Sequence, residues 1–80
     1  MSKSLTYFSR SEDDPAHLYK LDHENGKFYF MDHCWTGEGI WYEIDYPPVF
    51  EIVEITQERA SEISKNNLEG ANKGEPKRLY

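Results

Sequence analysis

The chain has 80 residues, twelve of them aromatic, a single cysteine and a formal net charge of −6. This length fits one domain with a modest core and leaves little room for a deep catalytic pocket. One cysteine excludes an internal disulfide, and the acidity argues against binding nucleic acid or an anionic membrane. The N-terminal segment has no signal-peptide pattern and no apolar run approaches the ~20 residues of a membrane span, so we expect a cytoplasmic protein.

The first strands are predicted from alternation and one turn motif. Residues 4–9 alternate weakly and predict a short strand. Asn25-Gly26 lies between alternating apolar runs, which favours a hairpin with a type I′ turn and positive φ at both turn residues. A two-residue turn pairs Glu24 with Lys27 beside it. On this register one face carries Lys20, Asp22, Tyr29 and Met31, and the other carries Tyr19, Leu21, His23, Phe28 and Phe30.

Residues 40–46 predict the next strand because apolar and polar side chains alternate there. Trp41, Glu43 and Asp45 share one face, and isoleucine and tyrosine residues occupy the other. Pro47-Pro48 ends the strand, since neither residue can donate a hydrogen bond to a ladder.

The C-terminal part predicts one short helix. Residues 49–55 form an edge strand or an extended lead-in, and Thr56 is placed to cap a helix that ends near Asn66. Ala60 and Ile63 lie on its core side. The predicted fold is therefore α+β: a small antiparallel β-meander of three or four strands with one C-terminal helix. Residues 1–66 form the single domain, and residues 67–80 form a flexible C-terminal tail.

One cysteine and three histidines are the side chains that could form a reactive or metal-binding site. His33 is adjacent to Cys34, so on a strand the two side chains would point to opposite faces and could not form a nucleophilic pair. The spacing of His17, His23, His33 and Cys34 matches no standard zinc pattern. We therefore predict no enzyme activity, no catalytic residue, no cofactor and no metal.

The distribution of charge points to a binding surface. No lysine or arginine occurs from Phe28 to Glu58, a stretch that contains seven carboxylates. The face of Trp41 would present aromatic side chains beside a row of negative charge, a pattern that suits a cationic partner. The alternative is a solvated acidic face without a partner. The predicted partner-binding residues are Tyr29, Asp32, Trp41, Glu43, Asp45, Glu51 and Glu54.

These features predict a small acidic inhibitor that blocks a basic, nucleic-acid-handling protein, such as a nuclease, by mimicking nucleic acid. A phage anti-CRISPR protein or an immunity protein against a nuclease toxin would fit this description. The alternative is a small adaptor or homo-oligomeric structural domain, for example a homodimer that associates through an edge strand or the Trp41 face. A metal- or cysteine-dependent enzyme is the least favoured hypothesis.

Overall fold

The structure, a computed structural model, describes residues 4–44, 51–72 and 76–78. Within these ranges one sheet is accompanied by one α-helix and a short 3-10 turn. The strands are β1 (Leu5–Ser9), β2 (Tyr19–Asp22), β3 (Lys27–Asp32), β4 (Ile40–Ile44), β5 (Val53–Ile55) and β6 (Lys77–Arg78); the 3-10 turn is Cys34–Thr36 and the helix, α1, is Gln57–Ile63.

The sheet has the strand order β5-β1-β2-β3-β4-β6. Strands β1 to β4 form a meander, β5 pairs antiparallel with β1, and β6 runs parallel to β4. The predicted α+β class with an antiparallel meander and one helix is confirmed. The five antiparallel strands exceed the three or four expected, because β5 joins the far side of β1. Asp45 and Pro47-Pro48 lie outside the described residues.

The predicted hairpin is present, but its register differs by two residues. Leu21 lies opposite Phe28, and the connection contains four residues rather than two. The Asp22 carboxylate accepts a hydrogen bond from the Glu24 amide at 2.9 Å, and only Gly26 of the predicted turn pair has positive φ. The Asp22 side chain therefore stabilises a wider turn than type I′. An even shift preserves the faces, so the predicted face assignment of the hairpin still holds.

The hydrophobic core lies between α1 and the sheet face that carries Trp41. Ala60 and Ile63 are buried against this face, as predicted. The opposite face carries partly buried aromatic rings, with the Phe30 and Tyr42 centroids 5.5 Å apart. The buried members of the core are Tyr7, Leu18, Tyr29, Met31, Cys34, Trp41, Ala60 and Ile63.

Helix α1 begins after Thr56, whose hydroxyl accepts a hydrogen bond from the Arg59 amide at 3.0 Å. This confirms the predicted N-cap. The helix ends at Ile63, before the predicted end near Asn66, because Lys65 and Asn66 both adopt positive φ. No helix in the described ranges is both long enough and apolar enough to cross a membrane.

The segment after the helix, residues 67–72, packs against the start of β4. Ala71 N–H donates to the Gly39 carbonyl at 2.7 Å, and Gly70, at φ 73°, lies so close to this carbonyl that any side chain there would clash. Residues 77–78 pair with β4 as β6. These contacts lie within the predicted tail at 67–80. The boundary after residue 66 and the flexibility of the tail remain predictions.

Candidate functional site

Trp41 is in the core, so its predicted role as an exposed anchor is wrong. Its side chain has 0% exposure, and its indole N–H donates to the Leu68 carbonyl at 2.6 Å. The Lys20 ammonium lies 4.1 Å from the centroid of the ring. The alternation of β4 placed Trp41 on the expected face, but α1 and the segment after it cover that face.

Tyr29 is also buried, which corrects the second predicted aromatic anchor. Its hydroxyl accepts a hydrogen bond from the Asn25 amide group at 3.2 Å. Lys20 lies 5.4 Å from the Tyr29 ring, and burial lowers the pKa of this lysine, although the Asp22 carboxylate opposes that shift. The lysine aliphatic chain and ammonium therefore cover aromatic surface that was predicted to contact a partner.

The predicted carboxylates do not form one row. The Glu43 side chain is only 16% exposed and pairs with the Lys27 ammonium at 3.0 Å, so its charge is matched within the protein. Asp32 ends β3 and is partly exposed, with a carboxylate oxygen 3.6 Å from His33 Nε2. Glu51 and Glu54 are exposed near β5, four strands away from β4. Asp45 lies outside the described residues.

A different aromatic side chain reaches solvent. Trp35 is 48% exposed, and it is the one exposed large hydrophobic side chain among the residues described. It lies in the β3–β4 loop, residues 33–39, which shares an end of the sheet with the β1–β2 loop, residues 10–18. Met31 N–H donates to the Leu18 carbonyl at 2.9 Å, which joins the end of the β1–β2 loop to β3 just before the β3–β4 loop. We call residues 10–18, Asp32 and residues 33–39 the loop end.

Local contacts fix the orientation of Trp35. His33 and Gly37 both adopt left-handed conformations, with φ of 61° and 82°, and they bracket the 3-10 turn. The buried Cys34 thiol donates to the Ala16 carbonyl at 3.2 Å, which joins the two loops. The His33 ring contacts Trp35 edge-on, with centroids 5.3 Å apart. Trp35 is therefore held outward on an anchored turn.

The loop end is acidic. The Asp14 carboxylate is fixed in position within the loop end, because it accepts hydrogen bonds from Ala16 N–H and from His17 Nδ1, both at 2.8 Å. Burial raises the pKa of Asp14, but these hydrogen bonds and the nearby positive charge outweigh burial and leave the pKa lowered. The described loop end carries the carboxylates of Glu12, Asp13, Asp14, Asp32 and Glu38. Cationic side chains nearby are those of Arg10, Lys65 and Arg59, and the Arg59 guanidinium donates to the Asp14 carbonyl at 3.3 Å.

The environment of Cys34 suits a structural residue better than a nucleophile. Burial raises the pKa of the thiol, and the thiol donates its proton to a backbone carbonyl. In the described part of the chain, no three histidine, cysteine or acidic side chains are grouped as metal ligands would be.

Trp35 is not among the predicted site residues, although the sequence carries a signal for it. Trp35 lies outside every alternating run and is followed by a glycine-containing loop. A large aromatic residue in such a loop has no strand neighbour to cover it, and loops often carry binding residues.

Comparisons with known protein families, curated proteins and solved structures found no match for this chain.

Proposed function

We propose that this chain is a cytoplasmic protein-binding inhibitor without catalytic activity, and that it docks its loop end on a basic surface of a nucleic-acid-handling partner. One observation carries the proposal: Trp35 is held in solvent by an anchored turn at an acidic end of the sheet. Large exposed aromatic side chains are typical of contact surfaces, and tryptophan is enriched among the residues that dominate binding energy.

The anchoring of the turn favours binding. Because His33, Cys34 and Gly37 already fix the loop, little conformational entropy is lost when Trp35 enters a partner pocket. The indole face can stack on an arginine or lysine side chain, and the Asp32 and Glu38 carboxylates lie in the same loop region.

The acidity of the loop end supports an inhibitory role. Arginine and lysine side chains that receive carboxylates are the same groups that hold nucleic-acid phosphates. A partner occupied by the loop end is therefore expected to lose nucleic-acid binding, and the complex is expected to weaken as salt is raised.

The test is affinity capture from the native host at low and high salt, followed by competition with DNA or RNA. Trp35→Ala is expected to lose the captured protein, and the double variant Asp32→Asn/Glu38→Gln to weaken capture. The matched control is Glu24→Gln/Glu58→Gln, which removes the same charge elsewhere on the surface. Capture that is unchanged by Trp35→Ala, or equally weakened by the control, would contradict the proposal.

A homo-oligomeric adaptor remains the second candidate, because no strand lies on the outer side of β5 among the residues that the structure describes. The Trp41 face, its other predicted contact surface, is covered by the protein's own chain. Light scattering at high concentration separates the two candidates, because the adaptor predicts a stable dimer or larger species without any partner.

A further inference from the structure

Within the described ranges no strand pairs with the outer edge of β5, and one residue of β5 directs its backbone groups toward that edge. Ser4 C=O accepts a hydrogen bond from His23 N–H at 2.7 Å, and the alternation of an antiparallel ladder then directs the backbone groups of residues 5, 7 and 9 toward β5. Tyr7 lies opposite Ile55, and Ser9 lies opposite Val53. The N–H and C=O groups of the residue between them, Glu54, therefore point away from β1.

Space for an incoming chain lies along this edge. A cleft of about 400 Å³ is lined by Glu12, Glu54, Ile55, Thr56 and Arg59. A smaller cleft of about 180 Å³ is lined by residues 5–7 and 54–57. Both clefts are lined by residues 54–56, so they border the segment of β5 with which an added strand would pair.

The charge at this edge favours a basic segment. Glu12 and Glu54 are exposed and have no ion-pair partner in the described ranges. Arg59, the cation in the larger cleft, is already engaged: its guanidinium lies 3.2 Å from a Glu62 carboxylate oxygen and donates to the Asp14 carbonyl at 3.3 Å. The two free carboxylates are thus available to lysine or arginine side chains.

The same charge disfavours pairing with a second copy. Two β5 strands joined antiparallel about a twofold axis at Glu54 would place the two Glu54 side chains directly opposite each other. Like charges in directly opposed positions destabilise a strand pair. A partner segment with lysine or arginine in that position forms an attractive pair instead.

We propose that β5 accepts an extended basic segment of the partner as an added antiparallel strand, with lysine or arginine opposite Glu54. This inference rests on the proposed function, since it assumes a basic protein partner. Glu12 belongs both to the loop end and to the larger cleft, so one partner can contact both surfaces.

The test uses a synthetic peptide of alternating threonine and arginine, with a threonine–glutamate peptide as control. Amide hydrogen exchange by NMR is expected to show that the Glu54 amide becomes protected at saturating threonine–arginine peptide and stays unprotected with the control. Unchanged exchange at Glu54 would overturn the inference.

Substitutions at the edge supply the second measurement. Glu54→Pro removes the outward N–H, which the sheet does not use, and is expected to abolish binding of the threonine–arginine peptide; Glu51→Pro, the matched control, lies before the strand and should retain it. If Glu54→Pro does not fold, Glu54→Arg keeps the backbone donor and is expected to bind the threonine–glutamate peptide instead. Failure of both variants to change peptide preference would contradict strand addition.

The captured host partner distinguishes this inference from the proposed function. Loss of capture with Trp35→Ala but not with Glu54→Pro would overturn strand addition and leave the loop end as the binding site. Loss with Glu54→Pro alone would overturn the loop-end site.

Discussion

The two tryptophans should respond to substitution in opposite ways. Trp41→Phe removes the N–H of a fully buried indole, which donates to the carbonyl of the partly buried Leu68. An unpaired buried carbonyl costs about 1–3 kcal/mol, and the space left by the smaller ring costs about 1 kcal/mol more. We expect Trp41→Phe to lower the free energy of unfolding by about 2–4 kcal/mol, a large fraction of the roughly 4–12 kcal/mol of a domain of this size.

Urea denaturation followed by far-UV circular dichroism measures this difference, because the far-UV signal comes mainly from the peptide backbone. The control is Trp35→Phe, which alters an exposed side chain and should change the free energy of unfolding by less than about 0.5 kcal/mol. Equal denaturation midpoints for the two variants would refute the assignment of Trp41 to the core and of Trp35 to the surface.

Three further predictions concern the pH response, the thiol and the helix cap. The pKa of Asp14 is lowered in the folded protein, so the Asp14 carboxylate stabilises the fold above the ordinary carboxyl pKa. This stabilisation is lost as pH falls through the folded pKa. Asp14→Asn should therefore reduce the loss of unfolding free energy between neutral and acid pH, measured by urea denaturation. Cys34 should react slowly with a thiol reagent in the folded protein and rapidly in denaturant, because it is buried with a raised pKa. Thr56→Ala should cost about 1 kcal/mol of unfolding free energy through loss of the Arg59 amide bond.

Each of these predictions has a control variant or an outcome that would contradict it. Asp13→Asn removes an exposed neighbouring carboxylate and should leave the pH response close to that of the parent. Rapid modification of Cys34 in the native state would contradict its burial between the two loops. Thr56→Ser retains the hydroxyl, so a loss as large as that of Thr56→Ala would rule out the cap as the cause.

Local sequence signals predicted the position and the two faces of the β2–β3 hairpin, but not its register. Asn25-Gly26 identified the turn, and alternation identified the two faces. The register depended on the hydrogen bond that the Asp22 side chain accepts from the Glu24 amide, which competes with the two-residue turn. Such a local competition is not visible in hydrophobic alternation.

The choice of the core face could not be made from alternation, because both faces of the sheet are rich in aromatic residues. One face carries Phe28, Phe30 and Tyr42, and it has few charges. The other carries Trp41 together with Glu43, so the charged residue made it look exposed. Tertiary contacts decide the matter: Glu43 pairs with Lys27 at the margin, and α1 covers the indole.

The candidate site was only partly predictable for the same reason. Glu51, Glu54 and Asp32 were expected to be accessible, and all three are at least partly exposed. Their separation depends on β5 crossing to the far side of β1, which is a long-range pairing. The orientation of Trp35 depends on the left-handed conformation of His33, which a sequence pattern does not reveal.

The chain that follows the helix acts as a lid for the largest side chain of the interior. The Leu68 carbonyl accepts a hydrogen bond from the Trp41 indole, and the Asn72 amide group donates one to the Trp41 carbonyl. The close contact between Gly70 and Gly39 positions this segment over the indole. A protein shortened after Asn66 would therefore not simply lose a dispensable terminus. It would expose the Trp41 indole in an apolar groove on the surface and become prone to aggregation.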